Sequence, residues 1–276
     1  MAARFCGPGQ PYEGLIRRSP QGARWSGESM FLPEKLVTPL RWQRPRLVFV
    51  NSMSDLFFEG FTDEQVAAVF GAMAGAPQHT FQVLTKRPAR MLEWAERYMG
   101  EDAWWVFDEL RHESEEAWER AEAESDGARA AHDLGWLPPN VWMGVSVEGQ
   151  DVAARLDHLV QVPAAVRFVS AEPLIGPLDL SAWMPRLDWV IAGGESGPGA
   201  RALEVDWVRS IVETCAEHST DCFVKQMGSV WAREQGMESH KGEDPEEWDE
   251  DLRVQQTPAA VSLSELMERA TGRDEA

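Results

Sequence analysis

Six short runs rich in Val, Ile, Phe and Trp recur along the chain: Leu47–Val50, Phe81–Leu84, Val141–Val145, Val166–Val169, Trp189–Ala192 and Cys222–Val224. Their hydrophobicity is continuous, not alternating, which is the pattern of strands buried on both faces. Helical patterns lie between most of them. Thr62 and Gln65 have capping-box spacing, Val66, Val69, Phe70 and Met73 share one face, and Gly75 is placed to close that helix. Pro88 suits a first helical position ahead of Met91, Leu92 and Ala95; Val152, Leu156 and Leu159 make a further face. Val208, Ile211, Val212 and Cys215 make another, which predicts a core position for Cys215. Strand and helix in alternation predict an α/β fold with a parallel sheet, either a partial (β/α) TIM-like barrel or an open doubly wound sheet.

The residues after each run favour the barrel. Val50 is followed by Asn51, Ser52, Met53, Ser54 and Asp55; Leu84 by Thr85, Lys86 and Arg87; Val145 by Ser146, Val147 and Glu148. Val169 is followed by Ser170, Ala171, Glu172 and Pro173; Ala192 by Gly193-Gly194-Glu195-Ser196-Gly197; Val224 by Lys225 and Gln226. A barrel site is assembled from the carboxyl ends of several strands, whereas an open sheet concentrates its site at one switch point. At any single strand end the alternative is a Ser, Asp or Glu that caps the next helix. Six polar ends in series point to a shared site.

Charge divides the chain unevenly. The formal net charge is −20, from 26 Lys+Arg against 46 Asp+Glu. Residues 101–133 hold twelve acids and three bases, and residues 234–276 hold thirteen acids and four bases. The expected organisation is a barrel over 1–230 carrying a helical insertion at 101–136, then an acidic extension at 231–276 with Trp248 as a docking anchor and a helix at Leu263–Met267. Residues 1–46 are basic, with eight Arg/Lys against three Glu, too diffuse for a nucleic-acid patch. A chain this acidic repels phosphate backbones at long range unless one groove is locally basic. The absence of a long apolar run and of a signal-like start predicts a cytoplasmic protein with no membrane partner.

Several chemistries lack their motifs. Cys6, Cys215 and Cys222 have no zinc-ribbon or disulfide-framework spacing. The six histidines form no i, i+4 pair, so no metal ligands are assigned. The glycine-rich turn at 193–199 could cradle a phosphate with its amides, but it matches neither GxGxxG nor the P-loop pattern. Ser146 and Ser196 lie outside any GxSxG elbow. Lys86 and Lys225 end strands, where a Schiff-base role competes with simple anion contact.

The runs FVNSMSDLFFE, APQHTFQVLTKRPARM, NVWMGVSVE, RFVSAEPLIGPLDL, LDWVIAGGESGPGAR and CFVKQMGSVW resemble a phage- and prophage-associated family of uncharacterised radical-SAM-like proteins. The likeness covers roughly residues 30–100 and 138–255. More distantly the chain is similar to the spore photoproduct lyase branch of radical SAM proteins. The resemblance implies S-adenosylmethionine and a [4Fe–4S] cluster as cofactors. It makes Asn51, Ser52, Ser54, Asp55, Ser146 and Arg155, with Glu148 beside them, cofactor-binding, and it sets Glu172, Glu195 and Lys225 toward the substrate as catalytic candidates, with Lys86 a catalytic candidate from its strand-end position. The family's three-cysteine cluster loop has no counterpart here. Met1 to Arg4 resembles the segment that follows its third cysteine, so the chain is expected either to start late or to belong to a member without the cluster. Three functions follow: a radical-SAM-like enzyme that modifies or repairs a nucleic acid or other phage macromolecule; a barrel lyase or aldolase without the cluster, using Lys86 or Lys225; and a non-catalytic phage protein whose acidic regions bind a basic partner. The first makes Asp55 and Arg155 ligand residues whose loss leaves folding intact.

Overall fold

The computed structural model describes residues 6, 7, 10, 12–19, 22–100, 105–122 and 124–273. Met1 to Arg4, which carries the resemblance to a post-cluster segment, and Trp104 of the insertion lie outside the described residues. An antiparallel hairpin, β1 (Ile16–Ser19) and β2 (Gly22–Trp25), precedes a short helix α1 (Val37–Leu40). The sequence reading missed this hairpin because its short, Arg-containing strands carry no apolar run.

The six predicted strands form one sheet: β3 (Leu47–Val50), β4 (Thr80–Thr85), β5 (Val141–Ser146), β6 (Arg167–Ala171), β7 (Trp189–Gly193) and β8 (Asp221–Gln226). Each is parallel to its neighbour and the spatial order is the chain order. A parallel sheet in strictly sequential order winds one way without a switch point, and this one curls into a half-barrel. The open doubly wound alternative is thereby removed.

Side-chain parity sorts the two faces. Val141, Met143, Val145, Val169, Ala171, Val190, Ala192, Cys222 and Val224 pack against the helices in the main core. On the concave face Trp142, Val166, Phe168 and Trp189 make a separate cluster, joined by Leu84, Ile191 and Phe223. Burial on both faces explains the unbroken hydrophobicity of β5, β6 and β7, whereas Leu47 and Phe49 leave one face of β3 exposed.

Local signals set most helices. The helix α2 (Asp63–Ala74) starts at the predicted capping box, with Thr62 and Gln65 satisfying each other's backbone amides. Its C-cap Gly75 has φ −74°, so a left-handed turn is not why glycine stands there. A Cβ at Gly75 would lie 2.2 Å from Ala121 Cβ, and one at Gly71 would lie 2.6 Å from the Val106 carbonyl oxygen. Gly71 and Gly75, one turn apart, form a smooth stripe on which the next helices sit. Those are α4 (Trp105–Glu113) and α5 (Glu115–Glu122), which follow α3 (Pro88–Gly100) and precede α6 (Asp126–Asp133). The insertion is thus built into the core, and Val106, Phe107, Leu110, Ala117 and Ala121 are all buried. Its acids occupy the outer faces of helices whose inner faces are apolar.

The stretch expected to be one helix over Val152–Leu159 is a 3-10 turn, Gln150–Arg155, running into one turn of helix, α7 (Leu156–Leu159). The helix α8 (Val205–Glu217) buries Val208, Ile211 and Cys215, as its periodicity predicts. After α9 (Ser229–Gln235) the acidic tail folds back on the barrel. Trp248 is buried, with its Nε1 donating to the Gly242 carbonyl at 3.0 Å. Arg209 on α8 holds Asp249 and Asp251 of the tail. Val254 and Gln256 then hydrogen-bond along the outer edge of β8, and Trp189 Nε1 donates to the Gln256 carbonyl at 2.9 Å. A final helix, α10 (Leu263–Arg273), buries Leu266 beside Ala131, Trp136 and Ala165. The edge of β8 is therefore covered, which removes one exposed ladder edge. Among the described residues no helix is long and apolar enough to cross a membrane.

Candidate functional site

Most of the predicted site residues follow their strand by one to five residues, whereas Ser146 is the last residue of β5, Lys225 lies within the end of β8, and Arg155 stands nine residues past β5 at the end of the 3-10 turn. The turn after β3 begins at Asn51, which has φ +60°, a left-handed conformation that Asn tolerates better than most residues. Beyond it Asp55 accepts from the Phe57 amide (3.0 Å), Thr85 Oγ1 (2.7 Å), the Lys86 amide (3.0 Å) and Arg87 Nη1 (2.9 Å). Both carboxylate oxygens are therefore engaged by protein donors. Arg87 also forks onto Glu59 and stacks over Phe58, while Arg90 on α3 donates to the Phe57, Phe58 and Phe61 carbonyls. Two arginines thus pin the 51–61 loop. Sequence reading did not single out Arg87 or Arg90, since Arg near a helix start carries no distinctive pattern.

A second cluster joins β4 to β5. Lys86 Nζ pairs with Glu148, whose other oxygen accepts from Arg155 Nη1 at 2.9 Å. The same Arg155 nitrogen donates to the Ser146 carbonyl at 2.7 Å. The structure brings the catalytic candidate Lys86 beside Ser146, Glu148 and Arg155, through the Ser146 backbone and not its hydroxyl. Burial pushes the Glu148 pKa up, but Lys86 and then Arg155 outweigh it, and the net result is a carboxyl held below its ordinary value.

Two further pairs lie beyond. Lys225 Nζ contacts Glu172 at 2.8 Å, reaching across β7. Glu172 precedes Pro173 through a cis peptide bond. Glu195 accepts from the amide, Nε and Nη2 of Arg201, and these hydrogen bonds lower its pKa. Arg201 is raised in turn, first by its hydrogen bonds to Glu195, with the charges of Glu195 and Glu148 adding. Arg201, six residues after Glu195 in a loop, was not assigned from sequence.

Two amides of the glycine-rich turn are taken by protein acceptors. The Gly194 amide donates to the Gln226 carbonyl and the Gly197 amide to Ser229 Oγ. A Cβ at Gly194 would fall 2.3 Å from the Met227 carbonyl oxygen, so this glycine permits the ends of β7 and β8 to approach. Lys86 and Lys225 both stand in ion pairs at the surface, not in the apolar pocket that suits a Schiff-base lysine.

A cleft of about 1280 Å3 opens beside this rim. Its lining includes Tyr12, Trp25, Met30 and Phe31 from the N-terminal segment, Phe49, Asn51, Ser52, Ser54 and Asp55 from β3 and the turn after it, and Lys86, Arg87 and Ser146 from the ends of β4 and β5. Glu172, Glu195 and Lys225 lie outside this lining. The volume exceeds what a nucleoside-sized ligand needs.

A [4Fe–4S] cluster does not fit these residues. It needs three neighbouring thiolates. Cys215 and Cys222 are buried in the core on α8 and β8, and the Cys215 thiol pKa is pushed up by its hydrogen bond to Cys222 and by burial. Among the described residues no group of three or more His, Cys, Asp or Glu could hold a metal ion.

The depressed carboxylates set a pH dependence. Glu148 and Glu195 have folded-state pKa values below their ordinary value of 4.5. Their stabilisation is fully present above about pH 4.5 and is lost as pH falls through the lowered values. Thermal unfolding between pH 7 and pH 3 should show a plateau and then a fall. Glu148→Gln should make the acid limb shallower, and an unchanged limb would show that this pair does not couple to folding.

No curated protein and no solved structure matches the chain. The sequence profile of a family described as Protein of unknown function (DUF5131) matches residues 1–262, nearly the whole length, and the chain belongs to that family.

Proposed function

We propose that this is a TIM-type partial barrel of radical-SAM-like descent that binds S-adenosylmethionine in the cleft beside β3 and acts on a phage-associated macromolecule. The observation that carries the reading is the cleft itself, a space with room for a nucleoside ligand whose lining includes Asn51, Ser52, Ser54, Lys86 and Ser146. The aromatic wall of Trp25 and Phe31 suits a nucleobase, and Lys86 suits the ligand's carboxylate. When bound, S-adenosylmethionine supplies an activated sulfonium carbon. Asn51, Ser52 and Ser54 would hold its polar groups, while Asp55 keeps their loop in place and Arg155 keeps Glu148 and the Ser146 backbone in place.

Isothermal titration with S-adenosylmethionine tests the reading. One site per chain is expected, and Lys86→Gln should weaken it at least tenfold, about 1.4 kcal/mol, with an unchanged unfolding temperature. A wild-type protein that shows no binding heat and no thermal shift with this ligand overturns the assignment.

A further inference from the structure

The two edges of the sheet are finished differently. At β8 the chain's own tail pairs with the strand through Val254 and Gln256. At the other edge, among the described residues, β3 has β4 alone as a strand neighbour. The Thr80 amide donates to the Arg46 carbonyl, and Leu47 is in register with Thr80. The parallel ladder therefore turns the backbone groups of Val48 and Val50 toward β4 and those of Leu47 and Phe49 away from it. Among the described residues no strand takes up these outward amides and carbonyls.

The side chains of this edge are apolar and open. Leu47 is 54% exposed, Phe49 44% and Met30 45%. Val48, Phe49 and Val50 all line the large cleft, as do Met30 and, from α2, Val69. A strand apolar on both faces and unpaired along one edge is what folds ordinarily blunt with charge or cover. Such a cluster marks an interaction site, and the open ladder sets the form of the partner: an extended chain whose own amides and carbonyls complete it. A lipid or a small apolar ligand has no ladder to offer. Charge narrows the partner further. Arg44 and Arg46, exposed just before β3, form no ion pair among the described residues, although the chain carries 46 Asp+Glu. An acid on the partner would supply their counter-charge. A second copy of this chain would not, because antiparallel pairing of two β3 edges through Leu47 and Phe49 sets Arg46 opposite Val50 and Arg44 opposite Ser52, between molecules that each carry a net charge of −20.

We infer that the β3 edge receives an extended segment of a partner polypeptide by strand addition, with apolar side chains on both faces of the segment and an acidic residue beside Arg44 and Arg46. A segment lying along β3 reaches the polar turn that begins at Asn51. The inference rests on the proposed function only for calling this polypeptide the substrate; the docking itself follows from the open edge.

Fluorescence anisotropy with labelled octapeptides and the full chain tests it. The segment Val-Ile-Val-Phe-Val-Thr carries an Asp-Asp pair at its amino end in one probe and at its carboxyl end in the other, so the tighter probe reports whether the added strand runs parallel or antiparallel to β3. That probe should bind with a Kd below about 100 μM, and a Lys-Lys pair in place of Asp-Asp should weaken it at least tenfold. N-methylation of alternate amides should abolish binding in one frame and spare it in the other, because only every second amide faces the ladder. Leu47→Lys should weaken binding at least tenfold with an unchanged unfolding temperature, and Arg44→Glu/Arg46→Glu should reverse the preference between the Asp and Lys probes. No binding of either Asp probe at about 100 μM, or equal binding by Leu47→Lys, overturns the inference. So does a wild-type dimer in sedimentation that Leu47→Lys dissociates, which would make a second copy the occupant. Leu47 lies outside the cleft lining, so S-adenosylmethionine titration of the same samples reports separately on the cofactor reading. Peptide binding without S-adenosylmethionine binding would overturn that reading and support this one.

Discussion

Leu110→Ala is expected to destabilise the protein by about 3 kcal/mol, although Leu110 belongs to a segment whose composition marks it as an acidic insertion. The side chain is fully buried in α4, and its Cβ would lie 3.0 Å from a Cβ built on Gly71 of α2. The close approach of α2 and α4 leaves no flexible neighbour to collapse into the cavity, which is the condition for the upper part of the large-to-small range. At this chain length the unfolding temperature should drop by roughly 6–12 °C. Thermal unfolding by circular dichroism measures it. A shift under 2 °C would mean that the insertion is an independent appendage and that the packing against Gly71 and Gly75 contributes little.

Asp55→Ala is expected to cost about 2–4 kcal/mol, because four donors lose their acceptor at once and three of those bonds are partly buried, one of them to the ionised Arg87. Asp55→Asn should rescue only part of the loss. An amide oxygen can still accept from Phe57 and Thr85, but its NH2 would face the Lys86 amide and Arg87, donors against a donor. Urea unfolding of the three proteins checks this. It also separates two roles, since a residue that only touched a cofactor would leave the unfolding midpoint unchanged and alter ligand affinity alone. Equal stability of wild type and Asp55→Ala would return Asp55 to the ligand role that its position after β3 suggested.

The hidden role of Asp55 shows where sequence reading stops. Its position at a strand end was legible, because a run such as Leu47–Val50 announces a strand and the next polar residues must follow it. Its partners were not. Thr85 and Arg87 are 30 and 32 residues away and meet Asp55 only because β3 and β4 pair in parallel with Val50 opposite Val83. The same holds for Lys86 with Glu148, 62 residues apart, and for Lys225 with Glu172, 53 apart. Arg90 escaped notice for a related reason: nothing around it in the chain reports that its guanidinium will meet three carbonyls of the 51–61 loop. Cys215 succeeded because helical periodicity alone places it on the apolar face of α8.

By itself the sequence determined the strands of the sheet, the capped start of α2, the apolar face of α8 and the polar ends of the six sheet strands. These follow from spacings of two to four residues, which the backbone geometry of strand and helix converts directly into faces. The tertiary structure alone decided that the sheet runs in chain order, that acidic helices and an acidic tail serve as core and edge cover, and which cation meets which carboxylate at the strand ends. Those outcomes depend on which elements lie side by side and at what register, and pairings between residues tens of positions apart leave no local period for a single sequence to display.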